Sequence, residues 1–404
     1  MLRRAFLRSG GAVIGAVALG HPAARAEETP GVTATEIKIG NTMPYSGPAS
    51  SYSVIGRAEA AFFKMVNEQG GVGGRTINFI SLDDGYSPPR TVEQIRKLVE
   101  QEGVAFIFQS LGTAANTAVE KYLNDRKVPQ LFVATGADKW GNYKQFPWTM
   151  GWQPSYRIEA RIYAKYILAK EPDAKIGILY QNDDFGKDYL IGVREALGDK
   201  FDKMVKSVSY EATDPTIDSQ IVSLQSAGVD TLILAAIPKF AAQAIRKVYD
   251  IGWKPMFFLS NVSVSVGLVI KPAGEEKAIG IITAAYLKDP TDPTWKDDPG
   301  MKEWRTFMAK YLPDADLTDG AYVYAYGVSL TLMQALKQCG SDFSRENIMK
   351  QAANLHDLEL PATLPGMRIS TSPTNYHPIR QMQLARWNGK TWERFGELIE
   401  GSGA

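Results

Sequence analysis

The stretch from Ile37 to Asp84 constrains the fold more than any other part of this chain. Ile37 and Ile39 alternate with polar neighbours, the period of a half-buried strand. Gly40 to Ser53 follow, rich in Pro, Gly, Ser and Asn, so the strand ends in a polar loop. Arg57 to Gln69 place Ala58, Ala61, Phe62, Met65 and Val66 on one helical stripe. Gly70 and Gly71 stop that helix, and Thr76 to Leu82 read as a second strand. A strand, helix and strand at this spacing form a parallel crossover. The polar loop then stands at the carboxyl end of the first strand, where open α/β sheets bind their ligands.

The alternation continues. Pro88 and Pro89 set the start of a helix that Ser87 is placed to cap, with Val92, Ile95, Leu98 and Val99 on its buried face. Val104 to Phe108 are continuously apolar, as a strand covered on both faces requires. Ser110-Leu111-Gly112-Thr113 lead into another helix, and the strand Val128 to Val133 ends in Thr135-Gly136-Ala137. Trp148 to Pro154, with two tryptophans and Gly151, read as a crossing between lobes. A second series of the same plan follows, with helices over 158–169, 187–197, 217–227 and 240–251 and strands over 175–180, 205–210, 231–236 and 256–259. Ile279 to Ala285 read as the return crossing, Trp304–Tyr311 and Ala321–Leu336 as helices packing back on the first lobe, and Asn388-Gly389 as the turn of a terminal hairpin. The expectation is two doubly wound parallel-sheet lobes joined by a multi-strand hinge: residues 27–151 with about 284–342, and residues 152–283 with about 343–404.

Residues 1–26 read as a twin-arginine signal peptide, with Arg3-Arg4 before a mildly apolar Gly10–Gly20 run and an Ala24-Arg25-Ala26 cleavage site. Cleavage after Ala26 sends the mature chain to the periplasm and leaves 41 basic against 44 acidic residues, a net charge of −3. Such a balance carries no footprint for nucleic acid or anionic lipid. The single cysteine, Cys339, forms no internal disulfide and reads as a packed core thiol.

Catalytic constellations are scarce. The mature chain holds His356 and His377 only, far apart, and His377 before Pro378 reads as a solvated loop residue. No nucleophile elbow, Walker loop or dinucleotide fingerprint occurs, so neither an enzyme nor a cofactor is expected. The GGVGGR turn, Gly70 to Arg75, runs from helix to strand, the wrong order for a pyrophosphate, and its glycines serve tight turning. Binding features are clearer. Gly112 and Thr113 stand where a strand becomes a helix, so free amides and a hydroxyl converge on an anion, although Thr113 could equally cap its helix. Thr135 and Gly136 add donors from the neighbouring strand.

The order IKIG, Ser46-Gly47-Pro48, GGVGGR and Asp83-Asp84, continued by LVEQEGVAFIFQ, DDFGKDYL and YDIGWKP, resembles the periplasmic binding proteins of branched-chain amino acid transporters, the leucine/isoleucine/valine type. The resemblance implies the type I periplasmic binding fold, a monomer that captures a small ligand, and permease subunits of an ABC importer as partners; sensors share the fold. It implies that the loops at Ser110–Thr113 and Thr135–Ala137 hold a ligand carboxylate. Tyr52 matches an aromatic position of the SGP loop, and Phe185 matches the aromatic entering from the second lobe, although either could be core. Trp152 and Tyr324 are further candidates that hinge and helix packing also explain. Asp183 and Asp184 read as strand end and helix cap. Amino-acid binders of the family carry a glutamate in the loop after the strand at 256–259; here Asn261 stands nearest that position. A buried ammonium without a carboxylate is costly, so the reading favours an aromatic acid over an α-amino acid, with asparagine suited to a phenol or a second carboxylate.

Overall fold

Ile37 and Ile39 are fully buried, and the strand they define pairs on both sides. The computed structural model describes residues 29–401; the expected signal peptide lies outside them. The first lobe runs β1 (Glu36–Met43), α1 (Ser53–Glu68), β2 (Thr76–Asp83), α2 (Pro88–Arg96), β3 (Phe106–Phe108), α3 (Thr113–Asp125), β4 (Gln130–Val133) and β5 (Thr149–Gly151). Its strands lie parallel in the order β2-β1-β3-β4-β5. The motif residues hold one another in place. The Asp83 carboxylate accepts from Ser46 N at 3.0 Å, Ser46 Oγ at 2.6 Å and Gly85 N at 3.0 Å. Gly47, at φ 81°, passes so close to Gly85 that a Cβ would sit 2.4 Å from its carbonyl oxygen. Ser87 does not cap α2 with its hydroxyl; its carbonyl instead accepts from Thr91 N, because the two prolines supply the first turn.

The second lobe contains α4 (Tyr156–Lys170), β6 (Ile176–Gln181), α5 (Asp184–Leu197), α6 (Phe201–Met204), β7 (Val205–Tyr210), α7 (Asp218–Ser226), β8 (Thr231–Ala235), α8 (Pro238–Asp250), β9 (Met256–Leu259), α9 (Lys271–Ala273) and β10 (Ile282–Ala285). Its sheet runs β7-β6-β8-β9-β10 in parallel and is extended antiparallel by β11 (Gln381–Trp387) and β12 (Trp392–Arg394), with β13 (Ile399–Glu400) beside β11. The Asn388-Gly389 turn joins β11 to β12, where Asn388 Oδ1 accepts from Lys390 N and Thr391 N. Helix α5 begins three residues earlier than the apolar pattern places it, because Asp183 caps it through Gly186 N.

Two expectations are corrected. Ile282–Ala285 is a strand of the second sheet, paired with β9 and β11, so the return crossing follows it from Tyr286 onward. The chain does not rejoin the second lobe at 343. After α10 (Pro299–Tyr311) and α11 (Ala321–Gln338), which pack on α1, α12 (Arg345–Ala352) stays on the first lobe. There Arg345 donates to the carbonyls of Val104 and Ala105 at 2.8 Å each, ligating backbone that β3 leaves open at its start. The last return is at β11. His377 is half-buried against Asp138, 3.9 Å away, rather than solvated, and burial lowers its pKa. Cys339 is a buried thiol, as expected, with its pKa pushed up to about 12 by burial.

Candidate ligand-binding site

The carboxyl ends of β3 and β4 in the first lobe face those of β6, β8, β9 and β10 in the second, and the loops leaving them enclose one cavity. Its volume, about 150 Å³, matches that of an engineered apolar cavity that admits benzene. One aromatic ring with short substituents fits such a space.

Of the residues singled out in the sequence, Tyr52, Gly112, Thr113, Thr135, Phe185, Asn261 and Tyr324 line it. Gly112 is required twice over: its φ is 103°, and a Cβ would meet the Tyr86 ring at 2.7 Å. Thr113 does not cap α3 with its side chain; its hydroxyl lies 2.5 Å from that of Thr135, both buried. Thr135 Oγ1 accepts from Ala137 N at 3.3 Å and Trp140 Nε1 at 3.4 Å. With those lone pairs used, its proton goes to Thr113 Oγ1, and the Thr113 proton is left for the cavity. The buried Tyr324 hydroxyl also finds no partner of good geometry among the described residues.

Four expected residues stand behind the wall instead. Ser110 Oγ accepts from Thr42 N at 3.1 Å, tying β1 to the loop. Gly136 gives its carbonyl to Tyr156 N, and Ala137 gives its amide to Thr135. Trp152 is fully buried, donates to Thr331 Oγ1 at 2.9 Å, and meets Tyr324 and Tyr286 edge-on at 5.3 and 6.1 Å. These four position wall residues without forming the wall. Asp183 is occupied by Gln181 Nε2 at 2.7 Å and by its capping role, and Asp184 lies 3.8 Å from Lys139; neither lines the cavity.

The sequence reading missed Tyr86, Tyr156, Tyr286 and the pair Lys288 and Asp289, all of which line the cavity. Tyr156 lies 4.7 Å from Phe185, centroid to centroid, and forms an aromatic wall with it. Burial raises the pKa of Tyr52, Tyr86, Tyr156, Tyr286 and Tyr324, so all remain neutral phenols able to donate. Lys288 is tied to Asp298 at 2.9 Å, which offsets its charge. Burial pushes Asp289 up to about 6.

Asn261 is not the isolated neutral group that its loop suggests. Its amide and side chain both donate to Glu159 of α4, which is fully buried directly behind it. Two bonds cross the cleft beside the cavity, Tyr52 Oη to the Val262 carbonyl at 2.6 Å and Gln181 Nε2 to Tyr86 Oη at 3.1 Å. Farther along, Ser265 Oγ donates to Asp319 Oδ1 at 2.8 Å, so the lobes are shut on one another. Among the described residues no cluster of acidic, histidine or cysteine side chains could hold a metal ion.

The fold is shared with known proteins. The chain is 22% identical over 365 residues to the Leu/Ile/Val-binding protein homolog 7 of Brucella abortus (strain 2308), covering 87% of this chain and 89% of that one. Its fold is similar to a branched-chain amino acid ABC transporter structure from Thermus thermophilus with bound valine, at TM-score 0.80 and 16% identity over 91% of this chain and 97% of that one. It is similar as well to a solute binding protein of an ABC transporter from Rhodopseudomonas palustris BisB5 in complex with 3,4-dihydroxy benzoic acid, at TM-score 0.74 and 16% identity over 91% and 98%. The periplasmic binding protein family matches residues 36–391, nearly all of the two lobes, and the chain belongs to that family, with its type I fold.

Proposed function

We propose that this chain is the solute-capture component of an ABC-type importer, closing its lobes in the periplasm over a small aromatic carboxylate. The observation that carries the reading is the Thr113–Thr135 pair, whose spare proton faces a ring-sized cavity in whose wall Lys288 is already paired to Asp298. A carboxylate there accepts from neutral donors, and a charge-assisted bond of that kind is about twice as strong as a neutral one. The body of the ligand lies against Tyr156 and Phe185, with aromatic pairing adding about 0.5–1.5 kcal/mol beyond burial. The Rhodopseudomonas palustris neighbour, with its dihydroxybenzoic acid, supports the ligand class, and the permease partners follow from the importer role. The capture protein acts as a monomer, with a mature chain starting at Glu27 once the signal peptide is removed. N-terminal sequencing of exported protein tests the start; residues 1–26 found intact would reject it.

A second reading, a branched-chain amino acid ligand, is favoured by Glu159, which sets an acid behind Asn261 near the point where an ammonium would lie. Native mass spectrometry of the gently purified protein separates the two. A retained aromatic acid supports the first, and retained leucine, isoleucine or valine supports the second.

A further inference from the structure

Glu159 holds one of the most enclosed positions near the cavity, and its surroundings are unusual for a carboxylate. It is fully buried, and among the described residues no lysine, arginine or histidine pairs with it. Its four partners are donors instead. Oε1 accepts from Tyr163 Oη and from Asn261 N at 2.8 Å; Oε2 accepts from Tyr189 Oη at 2.6 Å and from Asn261 Nδ2. Four donor groups thus surround the carboxyl, of which Tyr163 Oη also reaches the Leu259 carbonyl at 2.8 Å. The Tyr189 hydroxyl stands between two acceptors, Glu159 Oε2 and Ser260 Oγ, each 2.6 Å away.

The contacts with Glu159 fix the Asn261 amide. Burial pushes Glu159 up to about 7; above that pH it is a carboxylate that only accepts, so the NH2 end of Asn261 faces Glu159 and the Oδ1 end faces away. Oδ1 receives no donor among the described residues and is not sealed in the protein interior, and Asn261 lines the cavity. We propose that Glu159 is a positioning residue for specificity: by holding both nitrogens of Asn261, it makes the second-lobe wall present an acceptor, so the ligand must bring a hydrogen-bond donor there, a phenol-type hydroxyl or an amine rather than a second carboxylate. This rests on the reading of the cavity as the ligand site, and it reverses one expectation from the sequence, that asparagine would suit a second carboxylate oxygen. The acceptor and the Thr113 donor sit on opposite lobes, so the ligand that satisfies both carries an anion facing the first lobe and a donor facing the second.

The test compares a donor-bearing and an acceptor-bearing ligand in each of two scaffolds, by calorimetric titration of the mature protein. The aromatic pair is 4-aminobenzoate and 4-formylbenzoate; the aliphatic pair is leucine and 4-methyl-2-oxopentanoate. The wild type is expected to favour the donor member by about tenfold or more, because the acceptor member leaves Asn261 Oδ1 facing another acceptor. In Glu159→Gln, the new amide NH2 donates to Asn261 Oδ1 and turns the Asn261 nitrogen to the cavity, so the preference falls about tenfold or inverts. A residue that merely supported the fold would weaken both members equally and leave their ratio unchanged. Should Glu159→Gln fail to fold, Asn261→Ala, a half-exposed loop change, carries the test by bringing the ratio to about one. An equal ratio in the wild type, or a ratio that survives both substitutions, overturns the proposal. Binding of the aliphatic pair alone, with the donor preference intact, keeps this inference while rejecting the aromatic reading, and no binding of either pair at millimolar concentration overturns both.

Discussion

The Tyr52 hydroxyl of the first lobe donates to the Val262 carbonyl of the second, 2.6 Å away across the cleft. The bond exists only while the lobes are closed, so it stabilises the closed form without being specific for any ligand. A ligand shifts such an equilibrium only by its differential affinity for the two states. Removing the bond therefore lowers apparent affinity for every ligand alike. Tyr52→Phe is expected to weaken binding by roughly 2- to 12-fold, the equivalent of about 0.5–1.5 kcal/mol for one neutral hydrogen bond. Titration calorimetry measures it, and small-angle scattering should give a larger radius of gyration at subsaturating ligand. Unchanged affinity would mean that the bond plays no part in closure.

Thr113 is expected to matter more than any other side chain of the first-lobe wall, because its proton is the one the Thr135 bond leaves free. Thr113→Val keeps the shape and removes the donor. Loss of a hydrogen bond to a charged ligand costs about 1.5–3 kcal/mol, or roughly 10- to 150-fold in affinity. Thr135→Val should cost affinity as well, and it should also lower the melting temperature, since Ala137 N and Trp140 Nε1 lose their acceptor. If Thr113→Val binds as the wild type does, the carboxylate is held elsewhere.

Glu59 of α1 gives a stability prediction independent of ligand. It is fully buried, neither of its oxygens finds a partner among the described residues, and burial raises its pKa well above the usual range. An unfolded glutamate titrates near about 4.3. Above that pH the unfolded chain gives up a proton that folded Glu59 keeps, so stability falls as pH rises until the folded pKa is passed. Glu59→Gln has no such proton to keep, so the variant should gain stability relative to the wild type as pH rises from about 5 to about 8. Urea unfolding at several pH values measures the difference, and a difference that does not vary with pH would contradict the account.

How far the sequence carried this account depended on whether a residue's role was local. Gly112, Thr113 and Thr135 were legible because a strand-to-helix turn fixes where their amides and hydroxyls point. The crossover at Ile37–Asp84 was legible for the same reason. Tyr86 and Tyr286 were not, since nothing in their neighbouring residues says that Gly112 or Trp152 will come against their rings. Glu159 was hidden more deeply: it is a polar residue within a helix, and its partners Tyr189 and Asn261 lie 30 and 102 positions away. The placement of α12 failed likewise, because a short turn after Gly340 keeps it on the first lobe through Arg345. The position of Ser110 points it to the ligand, but β1 lies close enough to claim its hydroxyl.

The central claim is that a carboxylate with a ring-sized body, anchored at Thr113, fills the cavity between the lobes. Titration of the mature protein with 4-hydroxybenzoate, cinnamate, leucine and phenylalanine tests it most directly. The account predicts that 4-hydroxybenzoate binds at least about tenfold more tightly than leucine, with the difference lost in Thr113→Val. Tight binding of leucine, with no heat from either aromatic acid, would contradict it and make the branched-chain amino acid the ligand.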